Sequence, residues 1–177
     1  EVVFFTGMSG YQEVLTDPSY SGQIVVMTYP QIGNYGLIKE DSESAKVQIR
    51  GFVVREHCDT PSNFRSTGTI SEYLKESNIA GIEGVDTRAI TKKIRNYGAM
   101  KGFITTTRLP DNKMFDLAKN SEDISQVDLV ARVTTKDEYV LNGDGLHIGI
   151  MDYGLKLNMA KLFNNMGHKV TVFPATR

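Results

Sequence analysis

Apolar residues follow two different spacings along the chain, and these spacings predict strands and helices in turn. The runs "EVVFFT", "QIVVMTY" and "IRGFVVREH" are short, apolar and rich in β-branched residues, as is typical of strands. The apolar centre of the third run indicates a strand that is buried on both faces. "KGFITTT" predicts another strand, and the polar segment "EDSESAKVQ" predicts an exposed loop.

Helical spacing appears between these runs. Tyr11, Val14 and Leu15 lie on one face of a short predicted helix, which Ser9 could cap. Pro18 ends this helix, because the residue before a proline avoids the α region.

Three further segments have the start and stop signals of helices. "TISEYLKESN" offers Thr69 or Ser71 as its cap. Asp86 and Gly98 are suited to begin and end the next helix. "PDNKMFDLAKN" predicts a helix that starts at its first proline or aspartate.

The C-terminal region differs from the rest. Order weakens between residues 125 and 145, where "NGDG" indicates a loop tip or linker. "LHIGIMD", a helical stripe and "HKVTVF" then predict a parallel βαβ unit. We therefore expect a first domain over 1–130, a linker over 131–145 and an incomplete second domain over 146–177. A sheet of two strands has open edges, so this unit is expected to pack on the first domain, on another copy or within a longer chain.

Composition narrows the classes of function. The 177 residues are 40% hydrophobic and 23% charged, with a net charge of −1, which is ordinary for globular proteins and gives no reason to expect nucleic acid or an anionic membrane as partner. No apolar run is long enough to span a bilayer. The single cysteine excludes an internal disulfide and fits a cytoplasmic protein. The histidines and the cysteine lack zinc-ligand spacing, so no metal site is expected.

Two familiar kinds of site are not predicted. Cys58 follows a strand end rather than starting a helix, which favours a structural thiol over a catalytic one. The glycine clusters "GNYG", "GIEG" and "GDG" lack the residues of a phosphate-binding loop, so we expect no nucleotide site.

Three features remain as candidates, each with an ordinary structural alternative. Ser19 in "TDPSY" offers a hydroxyl for a carboxylate or amide ligand, or is simply a serine in a proline turn. A second group follows a predicted parallel strand, where ligands bind in open sheets, or merely starts a helix: Asp152, Tyr153, Gly154 and Lys156. A third group is a basic helix face that could meet an acidic partner or only solvent: Arg88, Lys92, Lys93 and Arg95.

Three stretches together resemble one known family. "MSGYQEVLTDPSYSGQIVVMTYPQIGNYG" resembles the N-terminal domain of the small, glutamine-hydrolysing subunit of carbamoyl-phosphate synthetase. "IRGFVVRE" with "PSNFRSTGTISEYLKESNIAGIEGVDTRAITKKIRNYGAMKG" is similar to the next block of that family. "GIMDYGLKLNMAKLFNNMGHKVTVFPA" looks like the first βαβ unit of its class I glutamine amidotransferase domain. The resemblance covers nearly the whole chain in the family's order, although "FFTGMSGYQE" departs from the more usual Asn-Thr-x-Met-Thr-Gly.

The resemblance implies an α/β fold, in which a swivelling β/β/α domain precedes the start of a flavodoxin-like parallel-sheet domain. It also implies a subunit that hydrolyses glutamine through a cysteine thioester, with a histidine base oriented by a glutamate. The ammonia would pass to a large subunit, which binds ATP and Mg and makes carbamoyl phosphate for arginine and pyrimidine synthesis. This chain itself would need no cofactor.

Little of the family's site transfers to these residues. Ser19 matches the serine that reaches the bound glutamine, and the basic helix face becomes a candidate surface for the large subunit. Neither Gly-x-Cys-x-Gly-His nor Gly-Pro-Gly-Asp occurs in the sequence, and Cys58 does not match the nucleophile motif. We therefore predict that this chain alone is catalytically inactive. A non-catalytic assembly module with the same fold, or a different α/β hydrolase or transferase, remains as an alternative.

Overall fold

Helices and strands alternate along most of the computed structural model, which describes residues 1–176. Within these residues the strands are β1 (Val2–Phe5), β2 (Ile24–Met27), β3 (Gln31–Ile32), β4 (Gly51–Val53), β5 (Glu56–His57), β6 (Ala80–Ile82), β7 (Tyr139–Leu141), β8 (His147–Asp152) and β9 (Lys169–Pro174). The helices are α1 (Tyr11–Thr16), α2 (Ile70–Glu76), α3 (Thr87–Tyr97), α4 (Asp111–Lys119), α5 (Val130–Val133) and α6 (Leu157–Asn165). The predicted α/β class is confirmed.

The first sheet has the strand order β1-β2-β4-β6, and all of its pairings are parallel. Its central strand β2 is buried along its whole length. Val25 and Met27 pack on one face with the apolar side of α1 and α2, whereas Ile24 and Val26 pack on the other face with Ile90 of α3. Side chains of successive strand residues point to opposite faces, so the run "IVVM" fills two cores at once. The result is a layer of strands between two layers of helices.

Helix α1 begins differently from the sequence prediction. Tyr11, Val14 and Leu15 are buried as expected. However, Ser9 does not cap the helix. The N-cap residue is Gly10, which lies in the left-handed region at φ 85° and has no side chain to accept a hydrogen bond. Instead, the Tyr35 hydroxyl accepts hydrogen bonds from the N–H groups of Gly10 and Tyr11, at 2.7 and 3.2 Å. The Tyr35 ring stacks on that of Tyr11 with 4.1 Å between centroids.

The other helix signals are largely confirmed. Thr69 and Glu72 form a reciprocal capping box at the start of α2. The Asp86 carboxylate accepts a hydrogen bond from the Ala89 N–H at 3.0 Å, and Gly98 follows the last residue of α3. Helix α4 begins at the aspartate after its proline, as predicted.

Two strand predictions need correction. The apolar centre of "IRGFVVREH" is buried, as predicted, but the run is not one strand, because β4 ends at Val53 and β5 belongs to a separate small sheet with β3. "KGFITTT" is not a strand. Met100 makes one isolated bridge to Val2, and Ile104 then packs against the core beside β2. The segment crosses the sheet face instead of extending its edge.

The C-terminal sheet has three strands in the order β7-β9-β8. The predicted parallel pairing of β8 with β9 is confirmed. The expectation of only two strands is wrong, because β7, within the predicted linker, pairs antiparallel with β9. Ala160 of α6 packs on Val170 and Val172 to form a small core. Much of the helical stripe stays exposed, including Met159 and Leu162.

Candidate functional site

The "TDPSY" segment forms a fixed turn at the end of α1. Asp17 is buried, and its Oδ1 accepts a hydrogen bond from the Ser19 N–H at 2.9 Å. Pro18 opens a single 3-10 turn over Pro18–Tyr20, which suits its restricted φ. Ser19 itself is exposed on this turn. The turn is therefore held through the Ser19 N–H, and the hydroxyl lies in an accessible place.

A second turn joins β8 to α6. The Asp152 carboxylate is buried, and its Oδ1 accepts hydrogen bonds from the N–H groups of Gly154 and Leu155 at 2.9 and 2.7 Å. Its Oδ2 accepts a third from the Thr135 N–H at 2.7 Å. Asp152 therefore shapes this turn, which favours the structural alternative for that residue. Tyr153 next to it points into solvent.

The fold brings these two turns together. The Lys156 Nζ lies 2.8 Å from the Asp17 Oδ2. The approach is also close at Gly154, where a Cβ would lie 3.2 Å from the Pro18 Cβ and from the Val133 Cγ2. Gly154 has φ +108°, so a glycine is suited there on both counts. The sequence predicted Ser19 and the residues after β8 as separate candidates, and the structure unites them in one site.

The charge of this site is well defined. The hydrogen bond to Asp17 raises the pKa of the Lys156 ammonium above its ordinary 10.5, against a smaller opposing effect of burial. The ammonium is therefore protonated at neutral pH, and its partner carboxylate holds it beside the Ser19 turn. An exposed hydroxyl at the carboxyl end of β8 suits a small polar ligand that carries carboxylate or amide groups.

A catalytic thiol and a metal centre are two other kinds of functional site. Cys58 is partly exposed, and its Sγ lies 3.5 Å from the carbonyl oxygen of Thr60. No three His, Cys, Asp or Glu side chains among residues 1–176 are grouped so that they could hold a metal ion. None of the helices formed by that part of the chain has the length and apolar character needed to cross a bilayer.

Sequence comparison decides the family. A family model described as "Carbamoyl-phosphate synthase small chain, CPSase domain" matches residues 1–104, more than half of the chain. The chain belongs to the carbamoyl-phosphate synthase small chain family. The resemblance predicted from its motifs is thus confirmed.

Relatives in this family extend the match beyond the family model. The chain is 49% identical over 174 residues to a carbamoyl phosphate synthase small chain of Clostridium perfringens, covering 98% of this chain and 49% of that protein. It is 51% identical over 174 residues to the one of Caldanaerobacter subterraneus, covering 98% and 46%, and 50% identical over 175 residues to the one of Thermotoga maritima, covering 98% and 45%. The chain spans about half the length of these curated relatives.

The basic face of this small-chain family member lies apart from the Ser19 turn. Helix α3 covers the sheet face opposite to α1 and packs there through Ile90, and its Ile94 is buried as well. Among residues 1–176, no carboxylate lies within 4.0 Å of the cations that form this face. All four are exposed: Arg88, Lys92, Lys93 and Arg95. The structure does not bring this face to the candidate site.

Sequence reasoning missed two residues that build the site. Asp17 could have been found, because an aspartate two residues before Ser19 is the pattern of a side chain that binds its own turn. Glu43 lies in the segment predicted as an exposed loop, yet it is half-buried and bonds to the start of α6. No local pattern marks that contact, because the Asn158 amide that its carboxylate binds is 115 residues away in the sequence.

Proposed function

We propose that this chain forms part of the small subunit of a glutamine-dependent carbamoyl-phosphate synthase, which supplies ammonia from glutamine to a large subunit. One observation carries the proposal beyond family membership. The turn that presents Ser19 is held against the carboxyl end of β8 by the ion pair of Asp17 and Lys156. Parallel sheets bind small ligands at that end of their strands.

The proposed role of Ser19 is recognition, not chemistry. Its hydroxyl would contact the amino-acid end of glutamine, while Asp17 keeps the turn rigid through the Ser19 N–H. A contact of this kind contributes on the order of 1 kcal/mol. Cys58 is not proposed as the nucleophile, because it belongs to the loop after β5 and lacks the family's Gly-x-Cys-x-Gly-His motif. We therefore propose that this chain alone does not hydrolyse glutamine.

The detailed fold of the two domains and the partners of the chain are part of the same proposal. Residues 1–130 would form a swivelling β/β/α domain, and the unit around β8, α6 and β9 would be the start of a flavodoxin-like amidotransferase domain. The exposed cations of α3 support a partner surface for the large subunit, which would bind ATP and Mg in the cytoplasm. Its product would serve arginine and pyrimidine synthesis.

The test compares two sources of nitrogen. The full-length small chain is purified with its large partner, and carbamoyl phosphate formation is measured with glutamine and with ammonium chloride. Synthesis from both, with the glutamine-dependent reaction requiring the small chain, supports the proposal. Synthesis from ammonia alone would favour the alternative of a non-catalytic assembly module. Glutaminase activity of the purified 177-residue chain would contradict the predicted inactivity of this chain.

A further inference from the structure

Helix α6 lacks a cap from its own sequence. Lys156 occupies the N-cap position, and its side chain accepts no hydrogen bond from the helix. The first amide groups of any α-helix need acceptors from outside the helix. Here they find them in Glu43, which precedes the helix by more than a hundred residues.

Glu43 binds two of these amides at once. Its carbonyl oxygen accepts a hydrogen bond from the Leu157 N–H at 2.9 Å, and its Oε2 accepts one from the Asn158 N–H at 3.1 Å. The carboxylate also lies at the end of α6 where a negative charge is favourable. Glu43 thus does for α6 what an N-cap residue usually does within one segment.

The other side of Glu43 is anchored to α1. The Glu43 N–H donates to the Thr16 Oγ1 at 2.9 Å, and the neighbouring Ser44 hydroxyl donates to the Thr16 carbonyl oxygen at 2.6 Å. Thr16 is fully buried and is the last residue of α1. The Ser19 turn begins at the next residue, Asp17.

Two links therefore connect the end of α1 with the start of α6. One is the direct ion pair between Asp17 and Lys156. The other runs from Thr16 through Glu43 to the first amides of α6. Lys156 directly precedes those amides, so movement of the helix start would move its ammonium away from the Ser19 turn.

We infer that Glu43 is a positioning residue for glutamine binding, acting through α6 to hold Lys156 and the Ser19 turn in one arrangement. The inference rests on the proposed function of the Ser19 turn. It assigns Glu43 no contact with the substrate. Its effect should consequently appear in the KM for glutamine and leave the rate of the bound complex nearly unchanged.

The experiment uses the full-length small chain in complex with its large partner. Glu43→Ala removes the side-chain acceptor, whereas Glu43→Gln retains one. We expect Glu43→Ala to raise the glutamine KM about three- to tenfold with kcat within about twofold, and Glu43→Gln to restore most of the loss. Glu40→Ala is the matched control, since this glutamate lies three residues earlier and its side chain is 74% exposed and faces Arg65 rather than α6.

Amide hydrogen exchange over residues 157–160 provides a second readout in the same complexes. Faster exchange in Glu43→Ala, together with the higher KM, supports the inference. A glutamine KM in Glu43→Ala equal to that of a wild-type complex that uses glutamine would overturn the inference while leaving the proposed function intact. A lower kcat in Glu43→Gln with an unchanged glutamine KM would also overturn the inference. A wild-type complex that used ammonia but not glutamine would instead count against the proposed function.

Discussion

The Lys156 ammonium lies 2.8 Å from the Asp17 carboxylate, which joins the turn after α1 to the turn before α6. We expect Asp17→Asn to break this ion pair while its amide oxygen still accepts from the Ser19 N–H. A double-mutant cycle with Lys156→Met in the full-length chain should show a coupling of about 1 kcal/mol or less, because Lys156 is 45% exposed. Urea unfolding of the four proteins measures it, and additive single losses would show that the pair contributes nothing.

Ser19→Ala should weaken the use of glutamine without affecting the fold. The hydroxyl is exposed on its turn and only the backbone N–H is bonded to Asp17, so removal leaves the turn intact. Loss of one neutral hydrogen bond corresponds to about a fivefold rise in KM. Steady-state kinetics of the complex with glutamine provide the measurement. Ser62→Ala, another exposed serine, should behave as wild type, and equal kinetics for both variants would remove the role given to Ser19.

Gly154→Ala tests the close approach of the two turns. The substitution meets a left-handed φ of +108° and a Cβ position only 3.2 Å from Pro18. Gly84→Ala is the matched control, with φ +77° but no atom within 4 Å of the added Cβ. Both should lose about 1–3 kcal/mol of unfolding free energy from backbone strain. Only Gly154→Ala should also raise the glutamine KM, and a similar rise in Gly84→Ala would show that the contact with Pro18 is irrelevant.

The basic face of α3 should contribute to binding of the large partner. Reversing two of its charges, Arg88→Glu with Lys92→Glu, should weaken the complex on the order of tenfold, and more strongly at low salt. Both side chains are exposed, so thermal stability should stay near that of wild type. Lys113→Glu with Lys119→Glu on α4 makes the same charge change elsewhere. Equal affinities of the two double variants, measured by surface plasmon resonance, would place the interface elsewhere.

The capping box of α2 predicts a dependence of stability on pH. The hydrogen bond from the Thr69 N–H lowers the pKa of Glu72 below its ordinary 4.5. The ionised carboxylate therefore stabilises the fold above that ordinary value, and this contribution disappears as pH falls through the lowered pKa. The full-length chain should exceed Glu72→Gln in urea midpoint at about pH 6, and the difference should shrink as pH falls below the ordinary 4.5 of a glutamate. Glu76→Gln, on the same helix but outside the capping box, is the matched control for the change of charge.

Local signals predicted much of the fold. The capping box at Thr69, the aspartate cap of α3 and the apolar run of β2 are each decided by a few neighbouring residues. The errors came where a distant partner decides the structure. Tyr35 replaces Ser9 at the start of α1, and Tyr139–Leu141 becomes a strand because β9 offers it a partner.

The candidate site shows the same division. Ser19 could be proposed from its turn and from the family motif. Its proximity to Lys156 could not, because 137 residues separate the two and only packing of the turns on one another brings them together. Glu43 has no sequence signal at all, since a glutamate in a polar segment is expected to face solvent.

The strand order β1-β2-β4-β6 has a consequence for how the protein is made. Every pairing in this sheet is parallel, so none of its strands can form a hairpin with the next strand in the chain. During synthesis, β1 has no strand to pair with until β2 is made, some twenty residues later. Strand β6 is made last and adds the final edge of the sheet. Such long-range pairings slow the search for the native state, and they leave the apolar strand β1 unpaired until β2 has been synthesised.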